Sequence, residues 1–150
     1  MFQSFAQKKL KVEVEFKYTK PDCEAAKHNK GTDAAGKPET PLTDCKFYIY
    51  FNNKCIDTIR TSENGTAIVR LLPGKYLLYE AWKHFKKTPD GSPISDFYND
   101  CLQKEWKKPN YVLNISENNL TMDYNDVSAS RCPNQYACLK VRHLPGEIKR

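Results

Sequence analysis

Residues 58–78, TIRTSENGTAIVRLLPGKYLL, contain two turn signals, and each is followed by a run in which apolar side chains occupy every second position. The first signal is Glu63-Asn64-Gly65, whose residues tolerate positive φ, and the second is the tight reversal at Pro73-Gly74. Because side chains alternate between the two faces of a strand, this spacing predicts two strands of an antiparallel sheet. Their buried faces are predicted to hold Ala67, Val69, Leu71, Tyr76 and Leu78.

The same two-residue period extends outward from this stretch in both directions. In Lys46–Phe51, for example, three apolar side chains alternate with Tyr48 and Tyr50, which are therefore predicted on the opposite face. Turn signals about every 8 to 12 residues are typical of a sandwich or barrel, so we predict an all-β sandwich of about seven antiparallel strands. The strand-like segments are Lys9–Tyr18, Lys46–Phe51, Cys55–Thr61, Ala67–Leu71, Lys75–Trp82, Tyr111–Ile115, Leu120–Val127 and Tyr136–Val141.

Two long segments lack this alternation. Residues 19–45 contain hardly a large apolar side chain and predict a long surface loop, with a short helical turn at Asp22–Lys27 as an option. Residues 83–108 are rich in Lys and Pro, and aromatic side chains are scattered among them. Two alternatives stay open for this second segment: an amphipathic helix that contains Leu102 and Trp106, or an irregular excursion that Cys101 anchors.

The stretch quoted above resembles the signature of prealbumin-like β-sandwich domains, a group that includes transthyretin-like, carboxypeptidase regulatory-like and collagen-binding B-type domains. In that signature an acidic or Asn-Gly turn leads into a strand and then into Leu-x-Pro-Gly-x-Tyr, which is the pattern of residues 71–76. The resemblance implies a Greek-key sandwich, here with long disulfide-tethered loops, and it implies little about activity. The Tyr-Arg-Gly-Ser ending of the enzymatic hydroxyisourate hydrolase branch is missing here.

The length of 150 residues fits one domain, which we predict to span residues 7–150. Residues 1–6 are predicted to be the remnant of a signal peptide, because Ser4-Phe5-Ala6 satisfies the small-x-small rule for cleavage. This ending resembles the signal-peptide tails of flavobacteria and their relatives. No window approaches the roughly 18 uninterrupted apolar residues of a transmembrane helix. We therefore predict a secreted or periplasmic protein that is monomeric.

Six cysteines form an even set without any C-x-x-C pair, and the histidines do not have the spacing of zinc ligands. Disulfides in an oxidising compartment are thus favoured over a zinc site or six reduced thiols. Six cysteines allow fifteen pairings, among which sequence cannot choose. As a working hypothesis we pair Cys132 with Cys138 across a short turn, Cys23 with Cys45 around a polar loop, and Cys55 with Cys101.

The formal charge is +6, and the lysines are densest beside the aromatic side chains of residues 83–108. Basic residues interleaved with aromatic ones suit anionic glycans or single-stranded nucleic acid, and export favours the glycan. We predict a non-enzymatic module of the cell envelope that binds carbohydrate or protein. A solvated lysine rim above buried rings is the alternative. The predicted binding residues are Trp82, His84, Phe85, Lys86, Lys87, Trp106 and Lys107.

The sequence has no nucleophile elbow, P-loop, dinucleotide fingerprint or H-E-x-x-H motif, and we predict neither a cofactor nor a metal. Asp123-x-Asn125-Asp126 offers oxygen ligands but lacks the Gly and the distal Glu of a calcium loop. Two other classes of function stay open. One is an inhibitor or immunity-type protein with a protruding loop, and the other is a small hydrolase or metal-dependent enzyme that uses His84 or His143 with nearby carboxylates.

Overall fold

The computed structural model describes residues 8–21, 23, 39–124, 127–132 and 135–140. Antiparallel strands dominate this part of the chain, as the alternation predicted. The strands are β1 (Leu10–Glu15), β2 (Lys17–Thr19), β3 (Glu39–Pro41), β4 (Lys46–Phe51), β5 (Lys54–Arg60), β6 (Thr66–Leu71), β7 (Gly74–Glu80), β8 (Tyr111–Ile115) and β9 (Leu120–Tyr124). Two short helices are α1 (Ala81–His84) and α2 (Asn99–Trp106), and single 3₁₀ turns form at Ile94–Asp96 and Ser128–Ser130.

Five strands form the larger sheet in the order β5-β4-β7-β8-β9, and β1 pairs with β6 in a separate antiparallel ladder. The short strands β2 and β3 pair with each other. Apolar side chains of the larger sheet and of the β1–β6 ladder meet in one buried cluster. The molecule is thus sandwich-like, with its core between the two layers.

Aromatic rings fill the centre of this core. Phe16, the residue between β1 and β2, stacks on Phe47 with 5.4 Å between ring centroids and meets the edge of Tyr111 at 5.0 Å. Phe47 and Tyr111 also meet edge to face. Such ring pairs add about 0.5–1.5 kcal/mol each beyond the area that they bury, which helps a chain with few aliphatic side chains.

The alternating pattern predicted the buried faces of β6 and β7 correctly, whereas in β4 the predicted core residue Phe51 is 39 % exposed and Tyr48, predicted on the opposite face, is buried. The predicted core residues of β6 and β7 are all buried, namely Ala67, Val69, Leu71, Tyr76 and Leu78. The predicted strand Lys75–Trp82 is wrong at its end, since β7 stops at Glu80 and the chain turns directly into α1. Of the alternatives for residues 83–108, the amphipathic helix is correct, because α2 buries Leu102 completely.

The predicted final strand at Tyr136–Val141 is wrong for the residues that the structure describes. Leu139 forms an isolated bridge with Phe97, and Cys138 has a φ of 71°, which interrupts extended backbone. Val141 lies outside the described residues. The same is true of residues 1–6, of the option of a helical turn at Asp22–Lys27 apart from Cys23, and of His28 and His143.

The three working disulfide pairs are wrong. Cys23 bridges Cys132 with 5.7 Å between the Cα atoms, and Cys101 bridges Cys138 with 5.4 Å between them. Cys45 and Cys55 are free thiols. The physical reason is that the β4–β5 hairpin holds both free cysteines, one at each end: Cys45 faces Thr61, whereas Cys55 pairs with Tyr50. One bridge instead joins Cys23 to Cys132, and the other joins Cys101 of α2 to Cys138.

Candidate binding groove

The inner face of the five-stranded sheet packs against the core, and its outer face carries several tyrosine side chains. Tyr48 and Tyr50 alternate along β4 with Phe47 and Ile49 of the core; Tyr48 is itself buried, with His84 and Phe85 against its ring, and Tyr50 is half-buried. Tyr79 of β7 is the register partner of Tyr48 and therefore shares its face. The rings of Tyr50 and Tyr79 meet edge to face with their centroids 4.9 Å apart. A patch of aromatic rings thus covers the middle of this sheet face.

Helix α1 brings His84 onto the tyrosine patch. The imidazole lies parallel to the Tyr48 ring, with 3.8 Å between centroids and 4° between planes. The hydroxyl oxygen of Tyr50 lies 2.6 Å from His84 Nδ1, within hydrogen-bond distance. Because α1 follows β7 without a linker, the position of His84 is set by the end of the strand.

Trp106, the last residue of α2, is tied to the segment after α1. Its indole Nε1–H donates to the carbonyl oxygen of Lys87 at 2.8 Å. The hydroxyl of Tyr79 donates to the carbonyl oxygen of the next residue, Lys107, at 3.2 Å. These bonds join the two helical segments to each other and to the sheet.

Between these elements lies a groove with a volume of about 440 Å³. Its aromatic lining consists of Tyr50, Tyr79, His84 and Trp106. Its charged lining consists of Lys83, Lys86 and Lys107, and no acidic side chain lines it among the described residues. The volume lies within the range of ordinary small-ligand sites, about 300–1,000 Å³. The groove therefore combines flat rings with concentrated positive charge.

Lys86 and the hydroxyls of Tyr50 and Tyr79 each contribute polar groups to the groove. Lys86 has a φ of 57°, so it adopts the left-handed conformation that ends a helix, and its amide donates to the carbonyl oxygen of Lys83. Burial raises the pKa of Tyr50 and of Tyr79 above the ordinary value, and the charge interactions of Tyr50 with Cys55 and of Tyr79 with Tyr50 raise it further. Both hydroxyls therefore stay protonated and can donate hydrogen bonds at neutral pH.

The seven residues predicted to bind fall into three groups. His84, Lys86, Trp106 and Lys107 line the groove together. Phe85 is 54 % exposed and lies beside the groove, where its ring meets those of Tyr48 and His84.

Lys87 completes the second group: its ammonium lies 5.7 Å from the centroid of the Phe85 ring. Trp82 forms the third group by itself, because it lines a different recess, which contains Glu80.

The sequence reasoning missed the two tyrosines of the groove, Tyr50 and Tyr79. A signal for them was present, because Tyr50 alternates with core residues and was predicted to face outward. A row of outward-facing rings on a strand is itself unusual for a solvated sheet face, where polar side chains predominate. The buried carboxylate of Glu80 was also missed, since the pattern of β7 reserves its position for the core.

Among the described residues, no group of three or more His, Cys, Asp and Glu side chains could hold a metal ion. Within the same ranges, no helix has the length and apolar character that crossing a bilayer requires. No family model matches the chain, and neither a curated protein nor a solved structure is significantly similar to it. Function must therefore be inferred from the groove itself.

Proposed function

We propose that this protein is an exported, non-enzymatic binding module of the cell envelope that holds an anionic glycan in the groove. The observation that supports this most directly is the lining: four rings and three lysines, without a carboxylate among the described residues. Apolar sugar faces stack on aromatic rings, and ammonium groups attract the carboxylate or sulfate groups of acidic sugars. A neutral glycan would use the rings alone.

Several hydrogen-bond donors suit the glycan. Lys86 and Lys107 are exposed, and their ammonium groups can donate to it, whereas the Tyr79 hydroxyl already donates to the carbonyl oxygen of Lys107 and can only accept from the glycan. If the Tyr50 hydroxyl donates to His84 Nδ1, the neutral imidazole carries its proton on Nε2. His84 then offers a further donor beside the lysines.

Export is supported by two disulfides, since such bridges persist mainly in oxidising compartments. A prealbumin-like Greek-key arrangement is part of the same proposal. Its support is that residues 58–78 run from the end of β5 through β6 into β7, with a φ of 75° at Gly65 and a buried Tyr76, as the signature requires. A binding surface on the outer sheet face leaves this core unchanged.

The test is a fluorescence titration, because Trp106 lines the groove. We expect a sulfated polysaccharide such as heparin, or polygalacturonate, to change the tryptophan emission in a saturable way. Neutral laminarin should bind at least ten-fold more weakly. Raising the salt concentration should weaken the binding of the acidic glycan, because salt screens its attraction to the lysine side chains.

Two matched variants locate the site. K86Q/K107Q removes two groove lysines and should weaken binding at least ten-fold. K11Q/K20Q removes two exposed lysines on β1 and after β2, changes the net charge by the same amount and should bind as the unchanged protein does. Equal losses in both variants would mean non-specific attraction, and flat titrations with every acidic glycan would refute the proposal.

A further inference from the structure

An apolar cleft with a volume of about 250 Å³ lies where the β4–β5 hairpin meets the turn between β6 and β7. Two of its lining residues, Leu71 and Tyr76, belong to the buried core and are 4 % and 3 % exposed. Three further lining residues, Phe51, Ile56 and Leu72, are large apolar side chains that are exposed to solvent. The floor of the cleft is therefore continuous with the core of the sandwich, and its sides reach the surface.

The cleft lies between two strands whose edges are open in the described part of the chain. There β5 is the outermost strand of the larger sheet, and β6 pairs with β1 alone. The ladder between β4 and β5 shifts register at Ile56, which has no partner on β4, as in a β-bulge. This bulge and the charged side chains of Lys54 and Arg60 oppose the addition of a further strand to β5. The side chains of the cleft, and not a strand edge, therefore determine what it binds.

Two cationic side chains line the same cleft. Lys9 immediately precedes β1 and Arg70 lies on β6, and both are exposed. Neither forms an ion pair with an acidic group among the described residues. Asp57 of β5 also lines the cleft, and its Oδ1 already accepts from the Thr58 amide at 2.8 Å. The described lining therefore has a net positive charge, which attracts an anionic group.

The size and the chemistry of the cleft favour a small amphiphilic ligand. Its volume is below the range of about 300–1,000 Å³ that drug-sized ligands occupy. On its floor, the Tyr76 hydroxyl already donates to the carbonyl oxygen of Leu72 at 2.6 Å, which leaves it no proton for the hydroxyls of a sugar. A hydrocarbon chain needs no hydrogen-bond partner and gains free energy by leaving water. The positive charge favours a carboxylate over an amine at the end of that chain.

We propose that this cleft is a second binding site, which takes an unbranched aliphatic carboxylate, that is, a free medium-chain fatty acid. The hydrocarbon chain lies against Leu71 and Tyr76, and the carboxylate faces Lys9 and Arg70. The site is independent of the glycan groove, because the residues that line the two do not overlap. It therefore adds a second class of ligand to the proposed function.

The test is a titration with sodium octanoate, followed in the ¹H–¹⁵N spectrum of the labelled protein. We expect saturable shifts of the backbone amides of Ile56 and Leu72, without a shift of the Trp106 indole in the groove. Each buried pair of methylene groups should tighten binding about ten-fold, so the affinity should increase from butanoate through hexanoate to octanoate. Octylammonium, which has the same chain and the opposite charge, should bind about ten-fold more weakly than octanoate.

Two exposed isoleucines provide a matched pair of variants for the apolar contact. I56S removes an apolar side chain that lines the cleft. I68S removes one from the neighbouring strand β6 that is exposed and does not line it. We expect I56S to weaken octanoate about ten-fold and I68S to bind it as the unchanged protein does.

Two pairs of cationic residues test the charge in the same way. K9Q/R70Q removes both positive charges of the cleft and should weaken octanoate about five-fold. Octan-1-ol has no charge, so its affinity should stay the same in this variant. K8Q/K11Q removes two exposed lysines from neighbouring positions, changes the net charge by the same amount and should leave the affinity for octanoate unchanged.

The outcomes separate this site from other uses of the cleft and from the groove. Equal affinities for octanoate and octylammonium, or equal losses in I56S and I68S, would overturn the site and mean non-specific apolar contact. Shifts of Ile56 and Leu72 that grow with protein concentration alone would overturn it in favour of contact between two copies. A shift confined to Trp106 would place octanoate in the groove and refute the site. Specific octanoate binding without any binding of acidic glycans would refute the groove and support this site.

Discussion

The hydroxyl oxygen of Tyr50 lies 2.6 Å from Nδ1 of His84, although the two residues are 34 positions apart in the chain. Tyr50 belongs to β4, and His84 ends α1, so this contact joins the outer sheet face to the helix beside the groove. The imidazole is held at the same time against the Tyr48 ring. The stack fixes the plane of the ring, and the hydroxyl fixes which nitrogen faces the strand.

We predict that Y50F weakens binding of polygalacturonate about five-fold, because loss of one hydrogen bond of about 1 kcal/mol releases the imidazole. Tyr50 acts here as a positioning residue. The independent readout is the ¹⁵N spectrum of the histidine rings, in which His84 should change from one tautomer to a mixture. Y79F is the control for the tautomer readout, because the Tyr79 hydroxyl donates to the carbonyl oxygen of Lys107 and not to His84. An unchanged tautomer in Y50F would contradict the prediction.

Glu80 makes the stability of the fold depend on pH. Burial raises its pKa above the ordinary value of 4.5, and bonds from Ser128 together with the charge of Lys83 lower it only in part. The folded protein therefore holds this proton more tightly than the unfolded chain does. As the pH rises from the unfolded pKa through the folded pKa, the carboxylate ionises at a cost and stability decreases.

E80Q cannot ionise, and its amide oxygen can still accept from Asn110 and Ser128. We expect the melting temperature of the unchanged protein to fall relative to that of E80Q as the pH rises from about 4 to about 8. E13Q removes an exposed carboxylate on β1 and controls for net charge. A difference between the two melting curves that stays constant or grows in favour of the unchanged protein would contradict the prediction.

The strands and their buried faces could be predicted because they depend on local alternation. Ala67, Val69 and Leu71 have that pattern in sequence, and burial follows from it. The turn at Gly65 is local for the same reason. The outward position of Tyr50 follows from the same period, although its role in a groove depends on α1 and α2.

The pairings over long distances could not be predicted. Cys23 and Cys132 are 109 positions apart, and only the packed fold brings their Cα atoms within bridging distance. Trp82 and Trp106 both occur in a lysine-rich context, yet the packing of α1 and α2 puts them in different recesses. Neither the sequence separation of two residues nor the composition around them shows which residues the fold brings together.

The two free thiols give a chemical test of the corrected connectivity. Reduction should add about 4 Da to the intact mass, two hydrogens for each of two bridges. Without reductant, iodoacetamide should modify two cysteines in the unfolded chain. An increase of about 6 Da would mean that Cys45 and Cys55 are bridged as well.

Cys45 and Cys55 should differ in their reactivity toward iodoacetamide in the folded protein. Burial raises the pKa of Cys45 to about 11, with a smaller increase from Glu80, so almost none of it is thiolate at neutral pH. Cys55 lies on the edge strand β5. We expect iodoacetamide to modify Cys55 at least ten-fold faster, and C55S to abolish the fast phase. A fast phase that persists in C55S would show that Cys45 is accessible.

Substitutions at two glycines with positive φ distinguish the cost of backbone strain from the cost of a steric collision. Gly65 has a φ of 75°, and a Cβ there would lie 2.7 Å from the carbonyl oxygen of Phe16. That carbonyl also accepts from the Leu42 amide, so it cannot move without breaking the junction of β1, β2 and β3. Gly91 has a φ of 81°, and a Cβ there would meet nothing within 4 Å. G91A therefore introduces strain alone, whereas G65A adds a collision with backbone.

We expect G91A to reduce the free energy of unfolding by about 1 kcal/mol, the cost of a side chain in the left-handed region. G65A should cost about 3 kcal/mol, because displacement of packed backbone adds to that strain. Urea unfolding of the two variants measures both values under one set of conditions. Since Gly65 lies in the turn before β6, G65A should also loosen the β1–β6 ladder, detectable as faster amide exchange at Val69. Equal costs for the two variants would contradict the packing argument and leave strain as the whole effect.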